Sequence, residues 1–170
     1  MVIADGSTAS ADEVLEITKI KQVYASTGFD SSQTGAGTDT QDHELTAIVA
    51  ADLINANYVE ISVTGEFVTT GARGGHKVSL KVQTKEIGGS YSDSTGYQTI
   101  VYQNGTAGGY NDKNDIRLTW KWVHTLTAGE KSNGVQVKLF SQSYVDNDGG
   151  GSTGQLASFT NIQDIEEIKS

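Results

Sequence analysis

Apolar and polar residues alternate with a period of two through much of this chain. Ile116, Leu118, Trp120 and Trp122 alternate with Arg117, Thr119 and Lys121, and Val135, Val137 and Leu139 alternate with Gln136 and Lys138. Between the two runs, Ala128-Gly129-Glu130-Lys131-Ser132-Asn133-Gly134 reads as a turn. The stretch from Asp115 to Tyr144 therefore predicts an antiparallel hairpin with one buried face.

The same period recurs elsewhere. From Tyr58 to Thr69, Val59, Ile61, Val63 and Phe67 point one way and Glu60, Ser62, Thr64 and Glu66 the other. Gly65 falls on the apolar face, where a glycine marks a bulge or a close backbone approach. Lys77 to Thr84 directs Val78, Leu80 and Val82 inward, and Glu44 to Val49 and Tyr97 to Gln103 read as further strands. Ala50 to Asn57 holds a helical turn around Asp52 and Leu53. Val14 to Tyr24 is β-like, with its alternation broken near Ile20. In the closing stretch, Gln155 to Ile168, Ile162, Ile165 and Ile168 recur every three residues, which fits a short helix or an irregular strand.

About eight short strands without a long helical period predict an all-β fold, a two-sheet antiparallel sandwich with jelly-roll or Greek-key winding. Residues 1–42 read as a polar N-terminal arm with one strand, and 43–170 as the sandwich domain. Ala25 to Asp42 is expected to be a long loop, ordered by a partner or functional. If successive strands alternate in direction, the Gly/Asx-rich segments Ala25–Asp42, Thr70–Gly75, Asn104–Asn114 and Asp146–Gly154 share one end, and the other end is plain. Loops on a rigid scaffold are where binding usually sits.

Composition narrows the choices. A chain of 170 residues suggests one domain with a real core. It has no cysteine, so disulfides and thiolate metal sites are excluded. It has no proline either, so its 20 glycines, with Asn, Asp and Ser, must make the turns. The formal charge of −9 argues against a nucleic-acid partner and favours solubility. Residues 1–12 lack the basic and apolar regions of a signal peptide, and no apolar run approaches the ~20 residues of a membrane span.

Candidate chemistry is sparse. His43 and His76 are expected at the loop-rich end and His124 at the other, which separates the three histidines and disfavours a metal or catalytic triad. No G-x-S-x-G elbow is present. Glu60 and Glu66 lie about 20 Å apart along one strand, too far for a carboxylate pair, and read as solvated face residues. Asp112, Asp115, Asp146 and Asp148 sit in two Asx-rich loops placed at one end, and are candidate calcium ligands. Against that, Ala157 stands where an EF-hand loop needs an acidic ligand, and Asx residues are ordinary turn formers. Trp120 and Trp122 share a face with Ile116 and Leu118, which points to burial; a sugar-stacking role for them, or for Tyr91 and Tyr110, is the alternative. Lys77, Lys81 and Lys121 are expected to guard edge strands in place of proline.

The runs Leu45-Thr46-Ala47-Ile48-Val49-Ala50-Ala51-Asp52-Leu53, Tyr58-Val59-Glu60-Ile61-Ser62-Val63-Thr64-Gly65-Glu66-Phe67 and His76-Lys77-Val78-Ser79-Leu80-Lys81-Val82 resemble the jelly-roll modules of bacteriophage virion proteins. These modules occur in head and tail fibres, appendage tips and capsid decorations. The tryptophan strand and Gly/Asn turn from Leu118 to Val137 are similar in style. The resemblance spans roughly Leu45 to Tyr144 and carries no catalytic motif. It implies a non-enzymatic structural role in the virion, commonly as a homotrimer. Its partners would be itself, other virion proteins and a host surface glycan, with residues 1–42 as the attachment arm. A carbohydrate-binding sandwich module is the alternative reading.

Overall fold

The computed structural model describes residues 20–24, 30–45, 47–71, 74–105, 112–146, 156–161 and 165–169. The described strands are β1 (Ile20–Tyr24), β2 (Ser31–Thr34), β3 (Gly37–Glu44), β4 (Tyr58–Gly71), β5 (Gly74–Glu86), β6 (Ser92–Asp93), β7 (Gln98–Gly105), β8 (Asp112–Thr125), β9 (Val135–Val145), β10 (Leu156–Asn161) and β11 (Ile165–Lys169). A 3-10 turn spans Ala50–Asp52, and helix α1 spans Ala128–Asn133.

The strands form two sheets, and their pairings are antiparallel. In the first, β4 carries β8 along one edge. Its other edge carries β10 over Gly65–Thr70 and β11 over Val59–Ser62. Outside these lie β2, paired with β10, and β1, paired with β11. In the second sheet β9 lies between β3 and β5, and β6 and β7 share the far edge of β5. β1 with β2, β6 with β7 and β10 with β11 thus each fill one position. In chain order the positions run 6-3-8-1 in one sheet and 2-7-4-5 in the other. This is the jelly-roll winding of two interlocked Greek keys.

Alternation creates the core. Ile61, Val63 and Phe67 of β4 cluster with Val78, Leu80 and Val82 of β5 and Val137, Leu139 and Val145 of β9, all buried. Phe159 of β10 lies with its ring centroid 5.0 Å from that of Phe67. Gly65, opposite Asn161 of β10, gives the Phe159 ring its space: a Cβ there would collide with that ring and stand 3.0 Å from the Thr160 carbonyl. The close approach expected at this glycine is present.

Several expectations are corrected. The stretch Asp115 to Tyr144 is not a hairpin, because β8 belongs to the first sheet and β9 to the second. Alternation reports one buried face per strand and cannot say which sheet a strand joins. The connection crosses the roughly 10 Å between sheets through α1. Thr127 caps that helix through Oγ1, which accepts from the Glu130 backbone N–H, and the Glu130 carboxylate accepts from the Thr127 N–H. The spacing Thr-x-x-Glu is the capping-box signature, and it marks a helix where Gly and Asn suggest a turn.

Ala25–Asp42, expected as loop, contains β2 and most of β3. These strands are polar on both faces, so hydrophobic period cannot reveal them. Their inward contact is made by hydroxyls: Ser31 is buried and shares a 2.8 Å hydrogen bond with Ser143 Oγ. The strand expected from Glu44 to Val49 ends instead at Glu44, and Leu45 and Ile48 continue only as backbone contacts to Val137 and Val135. Ile165 and Ile168 lie on a strand, which decides between the two readings of the closing stretch; Ile162 lies outside the described residues.

The connections β2–β3, β4–β5, β7–β8 and β9–β10 share one end, but of the segment Ala25–Asp42 expected there as a loop, only residues 35–36 form the β2–β3 connection. The opposite end is not plain. There Ile48, Leu53, Ala56, Val59, Leu126 and Val135 form a second apolar cluster beneath the 3-10 turn and α1.

Candidate binding face

The two outer faces of the sandwich differ in chemistry. On the first sheet, cross-strand pairs cancel charge. Lys121 Nζ lies 2.6 Å from Glu60 Oε1, Arg117 lies 3.5 Å from Glu66, and the hydroxyls of Thr64 and Thr119 are 2.8 Å apart. Glu60 and Glu66 are face residues, each with a cation beside it.

The outer face of the second sheet interleaves lysines with aromatic rings. Alternation along β5 turns Lys77, Lys81 and Lys85 outward, and along β9 it does the same for Lys138, Phe140 and Tyr144. The register sets Lys77 between Tyr144 of β9 and Tyr102 of β7, and Lys81 opposite Phe140. Lys77 Nζ stands 5.1 Å from the Tyr144 ring centre, and Lys81 Nζ stands 4.5 Å from Phe140 and 5.0 Å from Tyr97. Lys85 and Lys138 both lie over Tyr91, at 4.4 and 4.8 Å. Each is within cation–π range.

Acids reach only part of this face. Asp93 pairs with Lys81 at 3.2 Å, and Asp42 and Glu44 take Lys138 at 3.2 and 4.0 Å. Hydrogen bonds from Gln83 and then Lys81 hold the Asp93 carboxyl below its ordinary range. Tyr91 donates to Glu44 Oε2 at 2.6 Å; burial first, then Glu44, raises its phenol far above the usual tyrosine range. Among the described residues, no carboxylate lies within ion-pair distance of Lys77 or Lys85. Tyr102 is 57% exposed and Tyr97 39%. The Tyr102 ring lies across Gly75, where a Cβ would stand 3.3 Å from it.

Of the residues singled out from sequence, Tyr91, Lys77 and Lys81 lie on this face, and the others fall elsewhere. Trp120 and Trp122 face inward and pack against the core, half-buried because β8 is an edge strand. Tyr110 lies outside the described residues. Lys77 and Lys81 stand on β5, an interior strand, and so guard no edge; Lys121 stands on the edge strand β8. His43 ends its strand instead of beginning one, so it lies toward the end that holds His124, away from His76. The expectation that put His43 with His76 is corrected.

His124 Nε2 lies 3.0 Å from both carboxylate oxygens of Glu130, which is 4% exposed. Burial alone would raise the Glu130 carboxyl; the Thr127 N–H and His124 outweigh it and hold it below its ordinary value. This clasp fixes α1 to the end of β8.

Asp112 and Asp115 lie on β8, and Asp146 follows β9, with its N–H donating to the Gly75 carbonyl at 2.9 Å. The three share an end but belong to different sheets, and Asp148 lies outside the described residues. Among the described residues, no group of three or more His, Asp or Glu side chains is gathered for a metal.

The lysine–aromatic face was not read from the sequence. The signal was Lys77, Lys81 and Lys85 at intervals of four, all on the outward phase of one strand. The rings that complete it come from other strands and need the register.

No protein-family model matches this sequence, and no curated protein does. Among solved structures, a chain of infectious bursal disease virus, Gt strain, is 14% identical with a TM-score of 0.43, over 91% of this chain and 33% of that one. The VP2 subviral particle of the same virus gives 12% identity and 0.37, over 96% and 41%. The CBM22-1 xylan-binding domain of Paenibacillus barcinonensis Xyn10C gives 11% and 0.30, over 89% and 95%. This chain thus spans about a third of the first viral chain it matches. These scores are low, and the winding described above stands on strand order alone.

Proposed function

We propose that this chain is a non-enzymatic structural module of a virus particle, specifically a bacteriophage capsid decoration or head or tail fibre component, located in the virion. The observation that carries this reading is the strand order 6-3-8-1 and 2-7-4-5, a winding used by viral capsid and lectin domains. A fold hosts many functions, so the resemblance of the runs 45–53, 58–67 and 76–82 to phage virion modules adds to it. The chain assembles with itself, as a homotrimer, and with other particle proteins. Because β1, β2 and β3 pair within the sheets, the segment assigned to docking on the particle narrows to residues 1–19.

The test is co-sedimentation with particles that lack the chain. Full-length protein should bind to saturation, and a chain of residues 20–170 should not. Equal binding by both removes the docking role of 1–19, and no binding by either removes the particle reading.

A second reading, a glycan-binding module, is favoured by the exposed lysine–aromatic face. Planar rings stack on sugars, and the surrounding amides and ammoniums offer directed hydrogen bonds.

A further inference from the structure

We infer that the outer face of the five-stranded sheet binds a polysaccharide with widely spaced carboxylates, a uronate-containing glycan, through Lys77 between Tyr102 and Tyr144 and Lys85 over Tyr91. The inference rests on the glycan-binding reading and names its ligand class.

Three observations carry it. First, the chain bears a formal charge of −9, yet Lys77 and Lys85 meet no carboxylate within ion-pair distance among the described residues. The rings beneath them hold these ammoniums in place without neutralising them. A cation fixed but uncompensated is prepared for an anion from outside, and little ordering remains to be done on binding. On the opposite face Lys121 and Arg117 of β8 have glutamate partners, unlike Lys77 and Lys85 here.

Second, exposed rings stand beside these charges. Tyr102, opposite Lys77 in register, is seated on the bare backbone of Gly75. At 57% exposure the Tyr102 ring is open to a sugar.

Third, the charge spacing selects the ligand. Lys77 and Lys85 stand eight residues apart, about 26 Å at strand rise, and Lys81 between them is paired with Asp93. Duplex DNA carries roughly one charge per 1.7 Å of axis. A row this sparse, on a chain of net negative charge, does not match a phosphate backbone. It matches a sugar chain in which neutral rings separate the carboxylates.

The test uses the full-length chain, calorimetry and two probes of one backbone: hyaluronate fragments, in which a uronate alternates with a neutral sugar, and the same fragments fully methyl-esterified. The charged form should bind, and the ester should bind at least about tenfold more weakly, the loss expected when one charge-assisted hydrogen bond goes. Lys77→Gln should weaken binding of the charged form by a similar factor, and Tyr102→Ala should weaken both forms. Lys121→Gln, on the opposite face, should leave binding unchanged, and melting temperatures identify any variant that fails to fold. Equal binding of the acid and ester, lost in Tyr102→Ala, overturns the uronate assignment and leaves the glycan-binding reading standing. No binding of either form overturns both. Tighter binding of single-stranded DNA than of the hyaluronate fragments, or full binding by Lys77→Gln, also overturns the inference.

Discussion

Gly65→Ala tests the packing on which the jelly-roll core depends. At a position with free space, replacing glycine by alanine stabilises a protein by about 0.4–1 kcal/mol, because the unfolded chain loses freedom. At Gly65 the space is occupied. The new methyl group would enter the Phe159 ring and stand 3.0 Å from the Thr160 carbonyl, on a strand held between two neighbours. Overpacking of this kind costs roughly 1–3 kcal/mol, so the net expectation is a loss of about 1–2 kcal/mol. For a chain of this size that lowers the melting temperature by about 2–8 °C. Thermal unfolding of four proteins reads it: wild type, Gly65→Ala, Phe159→Leu and the double variant. Removing the ring should relieve the clash, so the two changes should couple by at least about 0.5 kcal/mol. Gly96→Ala, where nothing lies within 4 Å of the added Cβ, is the control and should be neutral or mildly stabilising. A neutral or stabilising Gly65→Ala, or additive behaviour with Phe159→Leu, would refute the packing described here.

The remaining predictions concern the helix clasp, calcium and assembly. Thr127→Ala removes the α1 cap and should cost about 1 kcal/mol in denaturant unfolding; no change would show that the cap is not a stabilising feature. Because Glu130 has a folded pKa below its ordinary 4.5, its contribution is present above that value and is lost as pH falls through the lower folded one. Glu130→Gln should therefore lower stability at neutral pH and flatten its fall below pH 4.5, and an unaltered acid limb would contradict the assignment. If Asp112, Asp115, Asp146 and Asp148 bind calcium, saturating calcium raises the melting temperature, and an identical melt in chelator removes the idea. Light scattering should give three chain masses for the homotrimer; a single chain mass at micromolar concentration would contradict self-assembly in solution.

The limits of the sequence reading are physical. β4, β5 and β9 were legible because one face of each is apolar, and period two then fixes which side is buried. Their assignment to sheets was not, because the strands before and after α1 have the same signature whether they pair or oppose. β2 turns Ser31 and Gln33 inward, the first half of β3 turns Gly37 and Asp39 inward, and their threonines are outside, so no hydrophobic period marks them. Gly65 was legible as a close approach, but its partner Phe159 lies 94 residues away in the chain and only the register brings them together. The lysine–aromatic face was hidden for the same reason. Lys77, Lys81 and Lys85 are regular in sequence, but Tyr102, Phe140 and Tyr144 come to them from two other strands.

The central claim is that this jelly roll is part of a particle. The direct measurement is quantitative peptide mass spectrometry across a density gradient of particles from the replicon that encodes the chain. Its peptides should co-migrate with intact particles, at a fixed number of copies relative to the major shell protein, and should remain there after a salt wash. Recovery only in the unassembled fractions, or a copy ratio that drifts across the particle peak, would contradict the claim.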